Sequence, residues 1–600
     1  MQKNNIEAVD LVYLWVDDKD ENWIKKRDSF LNPELKSEAV SCCRFRDNDE
    51  LKMSLRSVEK HLPWINKIFV VTDGQIPRWL DTENPKIEVV FHEQFIPQEY
   101  LPTFNSNVIE AFLHKIPNLS EHFLYANDDM FVNQNLTPDF FFNKKGQPIA
   151  RLHKIIHKKN EKSNYYHKII QKVQYLIEQK FGKRYYFEPH HCIDAYTKTL
   201  YSDCVKEFQS EYSVFYENRF RQNNDVQRLI VLLYGLANKK VQLKKVKKSR
   251  LHIPIGTKFF NMLVGRYFID SCFLGINKDN ISERFSWVKP KMFCLNDNVN
   301  ATELNRIDAS MFLYVLFPQK SCFEKDFYHI DNPYEITMGK ISVVIPTILA
   351  NSELLSNLII SLEKDISVCE IIVVNNSGKK LPEINSKKLK ILDFGENLYV
   401  NKSWNIGVLQ SRGEFFALIN DDLILPDNFC SKVLPHLSLE NGLYGFAKEY
   451  NINIDSMEKL EESDYKIIMQ EAEKRRLYFG IIMLGHKENY FVIPNDMKIY
   501  CGDDYLFIKN KINGKKNYVI SGCKIRHCHQ LSSSNPAFDE IKISDCKYYK
   551  TIQKDYKIPK LCRNHTRQIL NKVFNIYNEY KNNKKTKYLT LFGMTFKLTK

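Results

Sequence analysis

Three groups of acids follow short runs of β-branched and aromatic residues: Asp17-Asp18 after VDLVYLWV (9–16), Asp73 after KIFVVT (67–72), and Asp128-Asp129 after the run at 122–126. A hard divalent cation takes one or two carboxylates and completes its shell with phosphate oxygens and water, so acids at strand ends suit a phosphorylated substrate. One Asp-Asp pair serves a turn just as well; it is the recurrence that favours a site. Arginines gather in the same half, Arg44, Arg46 and Arg56 in RFRDNDELKMSLRS and Arg219 and Arg221 in ENRFRQNNDVQ. Guanidinium forks match phosphate oxygens in pairs, which suggests a pyrophosphate pocket; the alternative is Arg–Asp pairing that only holds loops.

The elements that must position these residues alternate. Strand-like runs at Val9–Val16, Lys67–Thr72, Ile87–Phe91 and His122–Ala126 are separated by helical spacing such as Leu51, Leu55, Val58 and Leu62 within Asp49–Leu62. That rhythm predicts a mostly parallel α/β sheet, which binds ligands beyond its strand C-termini. Helix is expected from about Arg151 to Glu178 and again from Asn218 to Leu236, and the basic run ANKKVQLKKVKKSR (237–250) reads as a solvated strand or loop. A second start follows DNPYEITMG: ISVVIPT (Ile341–Thr347) is a buried strand, followed by a helix through Leu362 and the strand EIIVVNNS (Glu370–Ser377). A boundary near 330–338 is therefore expected, giving residues 1–335, 336–550 and a tail, 551–600.

The pieces DLVYLWVDD (10–18), the long stretch from RFRDNDELKMSLRS to IPRWL (44–80), LPTFNSNVIEAFLHKIPNLSEHFLYANDDMFV (101–132), PHHCID (189–194), NRFRQNNDVQ (218–227), FCLNDN (293–298) and LFPQKSCFEK (316–325) resemble the signature regions of the Stealth family. That family includes bacterial capsule hexose-1-phosphate transferases and the animal N-acetylglucosamine-1-phosphotransferase. The resemblance implies transfer of a sugar-1-phosphate from a nucleotide sugar to an acceptor hydroxyl, with release of UMP or a similar nucleotide. By motif position, Glu110, Asn127, Asp129, His191 and Arg221 match the family's active-site residues, and Asp17 its first acid, although Asp18 stands where the family usually has Gly. Further substrate contacts are expected from Arg46, Arg56, Asp225, Asn296 and Asp297. Such a transfer is a matter of positioning and electrostatics. Asp129, with Glu110 or Asn127, is expected to hold Mg²⁺ or Mn²⁺, Arg221 to clamp phosphate, and His191 to act as base because imidazole titrates near neutrality. His190 beside it is the open alternative.

In the second half, ISVVIPT, EIIVVNNS, GENLYVNKSWNIGVLQSRGEFFALINDDLIL and YCGDDYLF resemble a family 2 glycosyltransferase of the GT-A, Rossmann-like fold over about 340–535. The resemblance implies that a nucleotide base rests at Pro346-Thr347 and near Asn375. Asp422 would bind the metal bridging the nucleotide diphosphate, and Asp421 would hold ribose or support that metal. Asp503-Asp504 take the place of the family's Glu-Asp base motif, and His527 or His529 completes the metal shell. The two halves together imply an α/β protein with two nucleotide-sugar-binding domains, the first carrying helical insertions.

Composition sets outer limits. The 600 residues are 44% hydrophobic and 26% charged, which excludes disordered, collagen-like and coiled-coil chains, and the length requires at least two cores. The net charge is +15, but Asp555 to Lys600 alone holds eleven Lys and Arg against two acids, so the bulk is only mildly basic and a nucleic-acid partner is not expected. Fourteen cysteines without a Cys-x-x-Cys pair read as reduced core thiols. MQKNNIEAVD lacks the apolar stretch of a signal peptide and no run is long enough to span a bilayer, so a cytoplasmic location is expected. Arg563–Tyr580 reads as an amphipathic helix with Ile569, Leu570, Val573, Ile576, Tyr577 and Tyr580 on one stripe, able to lie on anionic lipid or to pack on the protein. The composite expectation is a bifunctional capsule polymerase at the inner face of the bacterial membrane. It would use nucleotide-sugar donors, UDP-sugars above all, extend a growing capsule polysaccharide and work with the capsule export machinery. The alternative is a phosphotransferase whose GT-A domain only binds the acceptor.

Overall fold

The computed structural model describes residues 6–31, 40–155, 165–246, 270–277, 281–282, 285, 290–325, 336–448, 451–453, 465–527, 538–555, 574–581, 584–591 and 594–598. The chain divides into two compact units, Met1–Asp331 and Asn332–Lys600.

The first unit contains, in chain order, strands β1 (Val9–Leu14), β2 (Ile68–Thr72), β3 (Ile87–Phe91), β4 (His122–Asn127), β5 (Met130–Val132), β6 (Ile149–Lys154), β7 (Phe187–Pro189), β8 (Asp194–Thr197), β9 (Gln242–Val246), β10 (Ser271–Gly275) and β11 (Met292–Asn296). The main sheet runs β3-β2-β1-β4-β8, parallel except at β8, and two three-stranded sheets, β10-β11-β5 and β7-β6-β9, lie beside it in the chain. Strand order reverses between β1 and β4, where Leu14 pairs with Asn127. At such a switch point the loops diverge and leave a crevice beyond the strand ends.

Period-2 alternation explains why both faces are covered. Val12, Phe69, Phe123 and Tyr125 enter one core with Ile170 and Val173 of the Tyr165–Phe181 helix and Leu229–Leu233 of the Leu229–Ala237 helix. Leu11, Tyr13, Val70 and Leu124 enter the opposite core with Leu51, Leu55 and Val58 of the Glu50–His61 helix.

Two helical expectations need correction. Residues 151–154 belong to β6 and helix starts at Tyr165; residues 218–228 are not helical, and helix starts at Leu229. The second difference has a local cause. Asp225 is fully buried and accepts hydrogen bonds from Asn105, Asn107, Tyr165, Asn218 and the Gln222 amide at 2.6–3.1 Å, which fixes a loop where spacing alone allowed a helix.

The second unit repeats the plan with β12 (Thr337–Thr347), β13 (Val368–Asn375), β14 (Leu389–Asp393), β15 (Gly413–Ile419), β16 (Leu423–Ile424), β17 (Tyr444–Gly445), β18 (Asn451–Asn453), β19 (Ile468–Glu471), β20 (Ile482–His486), β21 (Tyr518–Ser521) and β22 (Ile525–His527). Its sheet runs β14-β13-β12-β15-β20-β17-β21-β19, with β14, β13, β12 and β15 parallel and the reversal between β12 and β15. A small sheet, β16-β22-β18, pairs Leu423 with His527.

The tail differs from its expectation. Residues 574–581 form β23 (Phe574–Lys581), paired antiparallel with β24 (Lys584–Leu591) and that with β25 (Met594–Leu598), so they are strand and not helix. The 563–573 part of the proposed amphipathic helix lies outside the described residues. Among the described residues no helix is long and apolar enough to cross a membrane.

Candidate active site

The crevice at the β1/β4 switch point is a cavity of about 650 Å³. Glu110, Asn127, Asp129, His191 and Arg221 all line it, although they come from four separate stretches of sequence. Glu110 stands on the short Ser106–Ala111 helix, Asn127 ends β4, Asp129 lies in the turn to β5, and His191 lies between β7 and β8. Arg46, Asn296 and Asp297 line the same cavity.

The acids are held from behind and keep one oxygen without a protein partner. Asp129 Oδ2 accepts from the Cys294 thiol at 3.2 Å, while its buried Oδ1 has no hydrogen-bond partner. Burial pushes its pKa up to about 6 against the opposing Cys294 bond. Glu110 Oε1 accepts from the Tyr125 hydroxyl at 2.9 Å, and its Oε2 is buried and unpartnered. The same hydroxyl lies 2.8 Å from Asn127 Oδ1. Burial, and then the Asp129 and Asp47 charges, drive Asp128 well above the carboxylate range. A wall with orphaned carboxylate oxygens and adjacent acids favours a cation. Among the described residues no three His, Cys, Asp or Glu side chains form a ready-made metal cage. The fit is therefore to a cation that takes one or two carboxylates and draws its remaining ligands from substrate phosphate and water.

The neighbouring histidines separate cleanly. His190 is buried with Nε2 3.2 Å from Asp194 Oδ1, whereas His191 lines the cavity between Tyr166 and Phe273, ring centroids 5.2 and 5.0 Å away. Burial, followed by the Arg228 charge, lowers the His191 pKa to about 3. Arg221 Nη2 donates to Ser106 Oγ at 2.6 Å.

Other expected contacts lie elsewhere. Arg56 does not reach the cavity: Nε and Nη2 grip both oxygens of Glu324 at 2.7 Å, and Nη1 donates to the Phe317 carbonyl at 3.0 Å. Here the loop-holding alternative describes what the fork does. Asp225 is the buried loop organiser already described, and Asp17 spends Oδ1 on the Lys19 amide at 2.9 Å, outside the cavity lining. Missed by the sequence reading are Arg228, Asp194, Tyr125, Glu50 and Cys294. Arg228 stands one residue beyond NRFRQNNDVQ, and Asp194 ends PHHCID, so in both cases the signal was the motif's own edge.

In the second unit the strand ends at the β12/β15 switch point bring Thr347 to Asp421, whose Oδ2 accepts the Thr347 hydroxyl at 2.5 Å. Pro346 is the penultimate residue of β12 and Asn375 ends β13, where its amide donates to Asp393 Oδ2 at 2.7 Å. Burial, and the neighbouring Asp422, raise Asp421 to about 6 against the Thr347 bond. Asp422 Oδ2 is 3.3 Å from His527 Nε2, and its buried Oδ1 has no hydrogen-bond partner. The β16–β22 pairing makes that contact; His529 lies outside the described residues. Asp503 and Asp504 open the Gly502–Ile512 helix, and one guanidinium holds both: Arg475 Nε donates to Asp504 Oδ1, and Nη1 is 3.0 Å from Asp503 Oδ2.

Residues 44–150 match the family model for Stealth protein CR2, conserved region 2, and residues 342–509 match that for glycosyl transferase family 2. A capsular polysaccharide phosphotransferase of Haemophilus influenzae is 39% identical over 225 residues, 36% of this chain and 62% of that protein. One from Actinobacillus pleuropneumoniae is 36% identical over 236 residues, 38% of this chain and 65% of the relative. An exopolysaccharide phosphotransferase of Lactiplantibacillus plantarum is 31% identical over 350 residues, 53% of this chain and 96% of the relative. The chain thus spans just under two thirds of the first two relatives and nearly all of the third.

Proposed function

Since the chain belongs to the Stealth family of polysaccharide phosphotransferases and carries a family 2 glycosyltransferase domain, we propose that it is a bifunctional capsule polymerase. The first unit transfers hexose-1-phosphate from a nucleotide sugar, a UDP-sugar by preference, to an acceptor hydroxyl. The second adds a sugar through a glycosidic bond, and alternation builds a phosphodiester-linked capsular polysaccharide. The observation that carries this reading is the meeting of Glu110, Asn127, Asp129, His191 and Arg221 on one cavity.

In the first unit the acceptor oxygen attacks the sugar-linked phosphorus, the bridging P–O bond breaks, and a nucleoside monophosphate leaves. His191, neutral at working pH, takes the hydroxyl proton at a ring nitrogen. Arg221 offsets charge on the donor phosphates, with Arg46, Asn296 and Asp297 orienting the donor from the cavity wall. Asp129, supported by Glu110 or Asn127, holds Mg²⁺ or Mn²⁺, which when bound neutralises the diphosphate and polarises the phosphorus. In the second unit Asp422 and His527 are the metal-holding pair, Asp421 and Asn375 support the nucleotide, and Asp503 or Asp504 accepts the acceptor's proton. The chain works at the inner face of the bacterial membrane beside the export machinery. The basic surplus of residues 555–600 supports a peripheral contact there.

Incubation with a panel of nucleotide sugars, Mg²⁺ or Mn²⁺ and a short capsule primer, followed by ³¹P NMR, tests this directly. A phosphodiester signal and nucleoside monophosphate release are expected; no nucleotide release from any donor overturns the reading. The Arg475 grip on both Asp503 and Asp504 favours one rival, in which the second unit only binds the acceptor, because one guanidinium already engages both carboxylates. Under that rival, Asp422→Asn leaves the incorporation of every sugar unchanged.

A further inference from the structure

Arg228 immediately precedes the Leu229–Ala237 helix, and its side chain is only 7% exposed although it borders the cavity. Its Nη1 lies 3.4 Å from Glu110 Oε1 and its Nη2 3.3 Å from Asp194 Oδ2. The guanidinium carbon sits 4.7 Å from the centre of the Tyr125 ring, whose hydroxyl reaches both Glu110 and Asn127. On the far side, Asp194 Oδ1 meets His190 Nε2 at 3.2 Å, and His190 is bonded in the chain to His191, which holds the left-handed φ of 54°. One buried cation therefore ties together the Ser106–Ala111 helix, the end of β4 and the segment 190–194.

Two carboxylates buried this deeply need a cation between them, since removing it leaves both uncompensated. A planar fork can serve two acids in diverging directions, which a lysine ammonium on a flexible stem cannot do with fixed geometry. Left-handed backbone at a non-glycine residue persists only where surrounding contacts over-determine it, and the Asp194–His190 pair supplies such a contact next to His191. Glu110 Oε2 remains without a protein partner while Oε1 is fixed from two sides, so the carboxylate's orientation is set before any substrate arrives.

We propose that Arg228 is a positioning residue for phosphoryl transfer: it fixes Glu110 directly, and His191 through Asp194 and His190, so the metal-supporting carboxylate and the base of the reaction share one buried support. This rests on the phosphotransferase reading of the first unit. A small misplacement of reacting groups costs rate far more than it costs ground-state binding.

The test uses the full chain and its steady-state nucleoside monophosphate release, with Tm measured on the same preparations. Arg228→Lys keeps the charge and loses the fork. It should lower kcat about 100-fold or more, with donor KM within about threefold and Tm within a few degrees of wild type. Glu110→Gln and the double variant complete a cycle: because part of the Arg228 effect passes through Glu110, the loss in the double should fall clearly short of the two single losses combined. A kcat for Arg228→Lys within threefold of wild type, a loss that disappears on correcting for the unfolded fraction, or additive losses in the double variant each overturn the proposal. A wild-type chain that releases no nucleotide overturns the phosphotransferase reading and this proposal with it, whereas an active wild type with an indifferent Arg228→Lys overturns this proposal alone.

Discussion

At the scale of single residues, His191 shows how environment sets a chemical role. Its ring lies between Tyr166 and Phe273, and burial lowers its pKa to about 3, well below the near-neutral value that suggested it as a base, so the imidazole is neutral across the physiological range. kcat/KM for phosphotransfer reports the free enzyme, so its acid limb should lie below pH 5; a limb at the ordinary imidazole value near 6.5 counts against His191 as the base. His191→Gln should lower kcat roughly 10²- to 10⁴-fold with little change in Tm. Asp422 gives the matching prediction in the second unit. Asp422→Asn keeps the shape of the His527 contact and removes the charge, and should abolish glycosidic incorporation while phosphodiester formation onto a supplied primer continues. Separate assays of consumption of each donor check this. Equal loss of both would refute two independent centres.

At the scale of elements, the Glu50–His61 helix is anchored by a fork that the spacing of arginines in RFRDNDELKMSLRS could not assign. Arg46 and Arg56 lie in the same motif, yet one borders the cavity and the other faces Glu324 near the unit's C-terminal end. The side chains of the Arg56–Glu324 pair are only 10% and 6% exposed, so Arg56→Met strands a largely desolvated carboxylate and should cost about 3–5 kcal/mol of stability. Arg56→Met with Glu324→Met removes both charges and should recover most of that loss. Urea denaturation of the three chains measures the difference, and a single-variant cost below about 1 kcal/mol would place the pair among ordinary surface bridges. Residues 218–228 teach the same lesson about local reading, because a hub of hydrogen bonds on Asp225 overrides helical spacing. The tail repeats it: Phe574, Ile576, Asn578 and Tyr580 alternate at period two while Ile576, Tyr577 and Tyr580 also suit a helical stripe, and strand pairing with β24 decides the matter.

At the scale of the whole molecule, each unit has its own sheet and its own apolar core, so unfolding should proceed in two calorimetric transitions rather than one. Each also buries a histidine. Burial, then Lys115, lowers His114 to about 4 in the first unit; burial, then Lys515, lowers His486 to about 4 in the second. The unfolded chain takes up protons near pH 6.5 and the folded one only near 4. The contribution is therefore full above 6.5 and is lost as pH falls from 6.5 to 4, by at most ~3 kcal/mol per site. His114→Gln should flatten the acid dependence of one transition and His486→Gln that of the other. A variant that flattens both would show that the units unfold as one.

The sequence by itself determined the parallel α/β portion of each sheet, because β-branched runs alternating with helical spacing cover both faces of a sheet, and it placed acids beyond the strands that end at each switch point. It carried Glu110, Asn127, Asp129, His191 and Arg221 as a group through motif resemblance. Only the tertiary structure separated His190 from His191 and Arg46 from Arg56, and brought in Arg228 as the cation between Glu110 and Asp194. The reason is that residue type and spacing report which chemistry is available, whereas the direction of a fork or a ring is settled by whichever partners the fold brings to it, near in sequence like Asp194 for His190 or far like Glu324 for Arg56, whose charges must be matched once water is excluded.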